Sequence, residues 1–120
     1  MKILLDTNFL LLPVQFKIDI FKLLKNYELF TLDLCVNEIK KLSERKTKDG
    51  IAAKVALELI KTKKINVIKS EKKKTDLAII EIAKKYNYMV ATNDKKLIKS
   101  LKRYGIKIIR LKQKKYLIEE

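Results

Sequence analysis

The sequence of 120 residues predicts an α/β fold, a parallel sheet with helices on both faces, in a single domain spanning residues 1–120. Three observations carry that expectation. Short apolar runs alternate with segments of helical periodicity from one end to the other. The first run, Ile3-Leu4-Leu5, is apolar at every position, as strands covered on both faces are. No linker, repeat or low-complexity stretch divides the chain, and a hydrophobic content of 48% suffices for a core.

The elements follow in order. Ile3-Leu4-Leu5 is the first strand, and Asn8 to Gln15 is read as a loop because Pro13 opposes an early helix start. Ile18, Phe21, Leu23 and Leu24 recur at helical spacing, which predicts a helix from about Lys17 to Asn26. Leu29 to Leu32 is the second strand. Val36, Ile39 and Leu42 mark a helix starting near Cys35. Thr47-Lys48-Asp49 breaks the pattern, and Ala52, Val55, Ala56, Leu59 and Ile60 form the next amphipathic face. Ile65 to Ile68 is a β-branched third strand, followed by a charged connector from Ser70 to Lys74. Leu77, Ile80, Ile82, Ala83 and Tyr86 predict a helix, Tyr88 to Ala91 the fourth strand, and Leu97, Ile98 and Leu101 a helix stopped by Tyr104-Gly105. Ile106 to Arg110 is the fifth strand, and Tyr116-Leu117-Ile118 can add a short edge strand.

Composition removes most chemistries. The chain has no histidine, so histidine acid–base catalysis, Ser-His-Asp and Cys-His systems and His-ligated zinc are excluded. Gly50 and Gly105, the only glycines, lie too far apart for a phosphate-cradling loop. Cys35 stands alone, so no internal disulfide forms, and it reads as a small buried residue. No apolar run is long enough to span a membrane, and the N-terminal run is too short for a signal peptide. A cytoplasmic protein without a membrane partner is therefore expected. Carboxylates and hard metal ions are the remaining tools for catalysis. The net charge of +15, from 29 Lys+Arg against 14 Asp+Glu, points to a polyanionic partner, nucleic acid ahead of membrane. Lys-rich composition is also found in heat-adapted or AT-rich genomes, so charge alone is weak support.

Because acids are scarce, their positions carry information. Asp6 and Asp94 stand just past the first and fourth strands, Glu38 in the first turn of one helix, and Asp76 at the start of another. Each has an ordinary alternative. Asp6 can cap a turn, Asp76 can satisfy the amides of its helix, Asp94 can cap the helix of Leu97 and Leu101, and Glu38 can be a solvated first-turn acid. Asp19, Asp33, Asp49, Glu58 and Glu81 read as surface charges.

Taken together, Leu5-Asp6-Thr7-Asn8-Phe9-Leu10, Val36-Asn37-Glu38-Ile39-Lys40-Lys41-Leu42, Thr75-Asp76-Leu77-Ala78-Ile79-Ile80 and Ala91-Thr92-Asn93-Asp94 resemble the PIN-domain nucleases over essentially the whole chain. The resemblance implies a three-layer α/β/α fold with sheet order 3-2-1-4-5. Strands one and four would then flank the switch point where such sheets collect ligands. It implies metal-assisted phosphodiester hydrolysis with one or two Mg²⁺ or Mn²⁺ ions, leaving a 5′-phosphate and a 3′-hydroxyl. Asp6 and Asp94 would be direct ligands and Asp76 the third, while Glu38 can ligate directly or hold a water. Asn8 and Thr92 would fix carboxylate rotamers.

The stretch Leu11-Leu12-Pro13-Val14-Gln15-Phe16-Lys17-Ile18-Asp19-Ile20-Phe21 looks more like archaeal and eukaryotic PIN proteins linked to ribosomal RNA processing than like VapC toxins. One departure is that Cys35-Val36 stands where relatives often carry a proline before the glutamate. The implied substrate is RNA, with single-stranded DNA as an alternative. The family also allows a homodimer, an antitoxin partner if the chain is a toxin, and a non-catalytic RNA-binding role. Lys72, Lys73, Lys74, Lys95 and Lys96, near Asp76 and Asp94, are the candidate phosphate contacts. Phe9, Tyr86 and Tyr88 can stack on bases, though their spacing suits core packing better.

Overall fold

The computed structural model describes residues 1–120. The chain runs β1 (Lys2–Leu5), α1 (Thr7–Gln15), α2 (Ile20–Leu23), β2 (Glu28–Leu32), α3 (Asp33–Ser43) and α4 (Lys48–Thr62). It continues with β3 (Asn66–Ile68), α5 (Thr75–Tyr86), β4 (Met89–Ala91), α6 (Lys95–Arg103), β5 (Ile108–Lys112) and β6 (Tyr116–Glu119). The strands form one sheet of order β3-β2-β1-β4-β5-β6, parallel except for the antiparallel β5–β6 pair.

Side-chain alternation along the strands builds two cores, one on each face of the sheet. Ile3, Leu5, Met89, Ala91, Ile109 and Leu111 face α1 and α4, packing with Phe9 to Leu12, Ala52, Ala53, Ala56 and Ile60. Leu4, Phe30, Leu32, Val90 and Ile108 face α5 and α6, packing with Ala78, Ile79, Ile82, Leu97 and Leu101. This is the expected α/β/α sandwich with the expected 3-2-1-4-5 core.

The structure corrects several boundaries. Residues Asn8 to Gln15 are helical rather than a loop. Asp6 caps α1 by accepting from the Phe9 amide, and the four consecutive residues Phe9 to Leu12 are buried. A helix buried that fully carries no polar stripe to reveal its period, and Pro13 is tolerated inside it at the loss of one backbone bond. The helix expected from Lys17 to Asn26 shrinks to Ile20–Leu23, because Lys17 adopts a left-handed φ of 52° and Asp19 starts the helix by accepting from the Lys22 amide. The fifth strand starts at Ile108 instead of Ile106. The end of α6 forms a Schellman motif in which the Gly105 amide bonds Lys102 and the Ile106 amide bonds Leu101, with Gly105 at φ 67°. The last strand turns back because Gln113 and Lys114 both have positive φ, as a type I′ hairpin requires, and the Lys115 amide closes onto Lys112.

Candidate active site

The carboxyl ends of β1 and β4 lie side by side, with Leu5 opposite Ala91 and the Asp6 amide bonded to the Ala91 carbonyl. The neighbours of these strands leave the sheet in opposite directions, so a crevice opens between them. Asp6, Thr7, Asn8, Glu38, Thr75, Asp76, Ile79 and Asp94 line this cleft of about 190 Å³. All four acids therefore meet in one place, brought there by the starts of α1, α5 and α6 and by one side of α3.

Asp6 forms the buried floor at 6% exposure. Its Oδ1 accepts from the Phe9 amide at 2.7 Å and its Oδ2 from the Thr92 hydroxyl. Burial pushes its carboxyl up from 3.8 to about 6; the Thr92 and Phe9 hydrogen bonds hold it lower than burial alone would, and the charges of Asp94 and Asp76 raise it further. Thr92, fully buried, also accepts from the Asp94 amide at 3.1 Å, so one hydroxyl sets the spacing of two carboxylate residues.

Asp94 is the N-cap of α6. Its Oδ1 accepts from the amides of Lys96 and Leu97, at 2.9 and 3.2 Å, leaving Oδ2 free. The capping alternative is thus true of Asp94 without removing it from the cleft. Asp76, in the first turn of α5, has no hydrogen-bond partner within the protein. Its carboxyl is raised by partial burial, by Asp94 and by Glu38, with Lys96 opposing.

Glu38 departs from its expected place. Because α3 begins at Asp33, Glu38 lies in the second turn rather than the first. Its oxygens are held from two sides, by the Thr7 hydroxyl at 2.8 Å and the Thr75 hydroxyl at 2.7 Å. These two threonines open α1 and α5, so Glu38 ties together the helices that deliver Asp6 and Asp76. They were not singled out by sequence, although each directly neighbours a site acid. Asn8 lines the cleft with its side chain exposed and donates to no carboxylate; Thr7 does that work instead.

Asn93, also unremarked by sequence, bonds the Leu111 backbone through both amide atoms, at 2.7 and 3.0 Å, and fastens the end of β4 to β5. Asp33 is more than a surface charge: its Oδ1 accepts from the amides of Leu34 and Ser70, joining the start of α3 to the end of β3. Phe9 is buried at 1% exposure, and Tyr88 stacks on Phe30 and Tyr86 at the opposite end of β4, so none of the three aromatics faces the cleft.

The donor set suits a hard divalent cation. Four carboxylates converge in a cleft that no lysine or arginine lines, in a chain with 29 such residues. No three of them close into a ready-made cage, so a cation there would keep waters in its shell. Burial of the Cys35 thiol raises its pKa, and it sits inert among Thr7, Thr31 and Leu32.

A parallel sheet with carboxylates at its switch point, each carried on a helix start or a neighbouring turn, defines a PIN-like class of α/β domain. The sequence matches the family described as PIN like domain over residues 3–114, and the chain belongs to that family. It is 31% identical over 120 residues to Ribonuclease VapC9 of Archaeoglobus fulgidus, spanning 96% of this chain and 86% of that protein. Among solved structures it resembles the PIN domain endonuclease Utp24, with a TM-score of 0.82 and 26% identity over 99% of this chain and 90% of the other. It also superposes on a domain of a functionally unknown protein from Methanocaldococcus jannaschii, with a TM-score of 0.64 and 17% identity over 92% and 91% of the two chains, a likeness of fold alone.

Proposed function

We propose that this chain is an RNA endonuclease that hydrolyses phosphodiester bonds with one or two Mg²⁺ or Mn²⁺ ions, acting in ribosomal or other RNA processing. The observation that carries the reading is the meeting of Asp6, Glu38, Asp76 and Asp94 in one cleft with no cation of the protein's own. Relatives named as a ribonuclease and an endonuclease support it. Asp6, Asp76 and Asp94 would hold the metal, since Asp76 and Oδ2 of Asp94 are free to do so. Glu38, engaged by two hydroxyls, holds the helices in register and keeps lone pairs for a water or the ion. When bound, the cation supplies Lewis acidity, generating a nucleophile from water at neutral pH and stabilising charge on the phosphate.

The chain's own contribution is positional and electrostatic. Thr92 and the Phe9 amide keep Asp6 ionised against its burial. Lys96, whose charge reaches Asp76, and Lys95 are exposed at the start of α6. Lys73 and Lys74 immediately precede Thr75. These four exposed lysines, next in sequence to Thr75 and Asp94, would take the substrate's phosphates. Lys72 is instead turned along α5, paired with Glu81 at 3.3 Å. The likeness to Ribonuclease VapC9 favours a second reading, a VapC-type toxin held in check by an antitoxin.

The test is incubation of purified protein with single-stranded and structured RNA in Mn²⁺, Mg²⁺ or EDTA, beside Asp6→Asn and Asp94→Asn. Cleavage that needs metal and disappears in both variants is expected. Equal cleavage by wild type and variants would overturn the site. Salt-sensitive binding without any cleavage would favour a non-catalytic RNA-binding module.

A further inference from the structure

Outside the carboxylate cleft, and sharing no lining residue with it, two adjoining clefts form a continuous basic groove. One, about 430 Å³, lies at the amino ends of β2 and β3, where Glu28 and Asn66 start their strands, and includes Lys63 and Lys64. The other, about 660 Å³, includes Lys17, Lys114, Lys115 and the exposed edges of Phe16 and Leu23. Asp19, Lys22 and Lys25 belong to both. Seven lysines thus face two carboxylates, Asp19 and Glu28, and Asp19 is already engaged in capping α2. None of the seven takes part in an ion pair; the acids that do pair, Glu81, Glu119 and Glu120, lie elsewhere. Lys17, Lys64 and Lys114 also hold left-handed φ values of 52°, 52° and 57°. Glycine or asparagine would adopt that conformation at lower cost, so the chain keeps charge at three positions whose backbone favours another residue.

We propose that this groove is a second contact surface for single-stranded RNA, an anchoring site for substrate that lies outside the carboxylate cleft. The proposal rests on reading the chain as a protein that acts on RNA. A polyanion is the partner the charge selects. The single strand is favoured by apolar side chains set among the lysines, with the Phe16 ring under the Lys114 ammonium at 5.2 Å. Such interleaving offers stacking alongside phosphate contacts. The strands separating the amino-end cleft from the carboxylates are four or five residues long, a span of roughly 15 Å. A long RNA can therefore occupy both places, and a short one only the cleft.

Lys22→Gln with Lys25→Gln tests this, since both side chains are exposed and both line the two clefts. Binding of a 30-nucleotide single-stranded RNA is measured in EDTA, so the result does not depend on cleavage. If both lysines contact phosphates, the log–log salt slope falls by about 1.4, and affinity at 0.1 M salt falls roughly twentyfold. A control pair, Lys54→Gln with Lys85→Gln, removes the same charge from exposed positions outside both clefts and is expected to change binding far less. In Mn²⁺, a three-nucleotide substrate, too short to reach the groove from the cleft, should be cut at the same rate by wild type and the groove variant, while a long substrate shows a raised KM. Equal losses from both pairs, or no loss from the groove pair, would overturn the proposal. So would a larger effect of the groove pair on duplex RNA or poly-glutamate than on single-stranded RNA. If no RNA is cut at all, the nuclease reading fails while the EDTA binding still decides the groove.

Discussion

Asp6 is a buried carboxylate that the metal-free protein holds at a cost, and Asp6→Asn measures that cost. Folding shifts its pKa from 3.8 to about 6, mainly through burial, and at 1.36 kcal/mol per unit the ionised form is disfavoured by about 3 kcal/mol. The sign follows from proton binding. Between these two values the native state binds more protons than the unfolded chain, so stability falls as pH rises through that window and stays low above it. Asparagine carries no charge and still offers an oxygen to the Phe9 amide, so it keeps the cap on α1 at the loss of the hydrogen bond that Thr92 donates to Oδ2. In EDTA at pH 7.5, Asp6→Asn should therefore be more stable than wild type by up to about 3 kcal/mol, or about 10 °C in Tm for a domain of this size. The gap should narrow as pH falls to about 4 and close below about 3, where the wild-type carboxyl is protonated in both states. Urea denaturation at several pH values reads both quantities. Addition of Mn²⁺ should close most of the gap, stabilising wild type by about 2.7 kcal/mol at a hundredfold excess over Kd, and should reverse the order at a thousandfold excess, where the gain is about 4.1 kcal/mol, leaving the variant unmoved. An Asp6→Asn protein less stable than wild type at pH 7.5, or a difference that does not change with pH, would refute the electrostatic account.

Three further outcomes follow from the same geometry. Asp94→Ala should lose about 1 kcal/mol in EDTA because it removes the cap accepted from Lys96 and Leu97, whereas Asp94→Asn should lose little; equal losses would show that the cap is not the cause. Thr7→Val and Thr75→Val each free one side of Glu38, so the Mn²⁺-induced rise in Tm should shrink in each. Their double variant should lose less than the two effects added, as residues acting on one carboxylate do; strict additivity would separate them. Gly50→Ala should cost about 2 kcal/mol or more in thermal unfolding, because a Cβ there would lie 1.9 Å from the Arg45 carbonyl oxygen and force α3 and α4 apart; an unchanged Tm would contradict that packing.

Much of the architecture could be read in advance because it depends on local pattern. Ile3 to Leu5 and Met89 to Ala91 are apolar throughout, as a strand covered on both faces requires. The missed elements share a cause. Phe9 to Leu12 are apolar on every side of α1, so periodicity had nothing to report, and Pro13 spoke against a helix that burial stabilises anyway. Ile106 looked like strand, yet its amide serves the end of α6. The helix suggested around Ile18 and Phe21 gave way to a left-handed Lys17 that no spacing reveals.

The sequence by itself determined the alternation of strands and helices, the exclusion of histidine and disulfide chemistry, and the placement of Asp6, Asp76 and Asp94 at element ends, because these depend on residue type and short-range order. Only the tertiary structure decided how those acids and Glu38 are held. Thr92 lies 86 positions from Asp6, and Thr7 and Thr75 lie 31 and 37 positions from Glu38, on different helices. A hydrogen bond needs its partners within about 3 Å, and the chain supplies that closeness only after β1 and β4 have paired and α1, α3 and α5 have settled around their carboxyl ends.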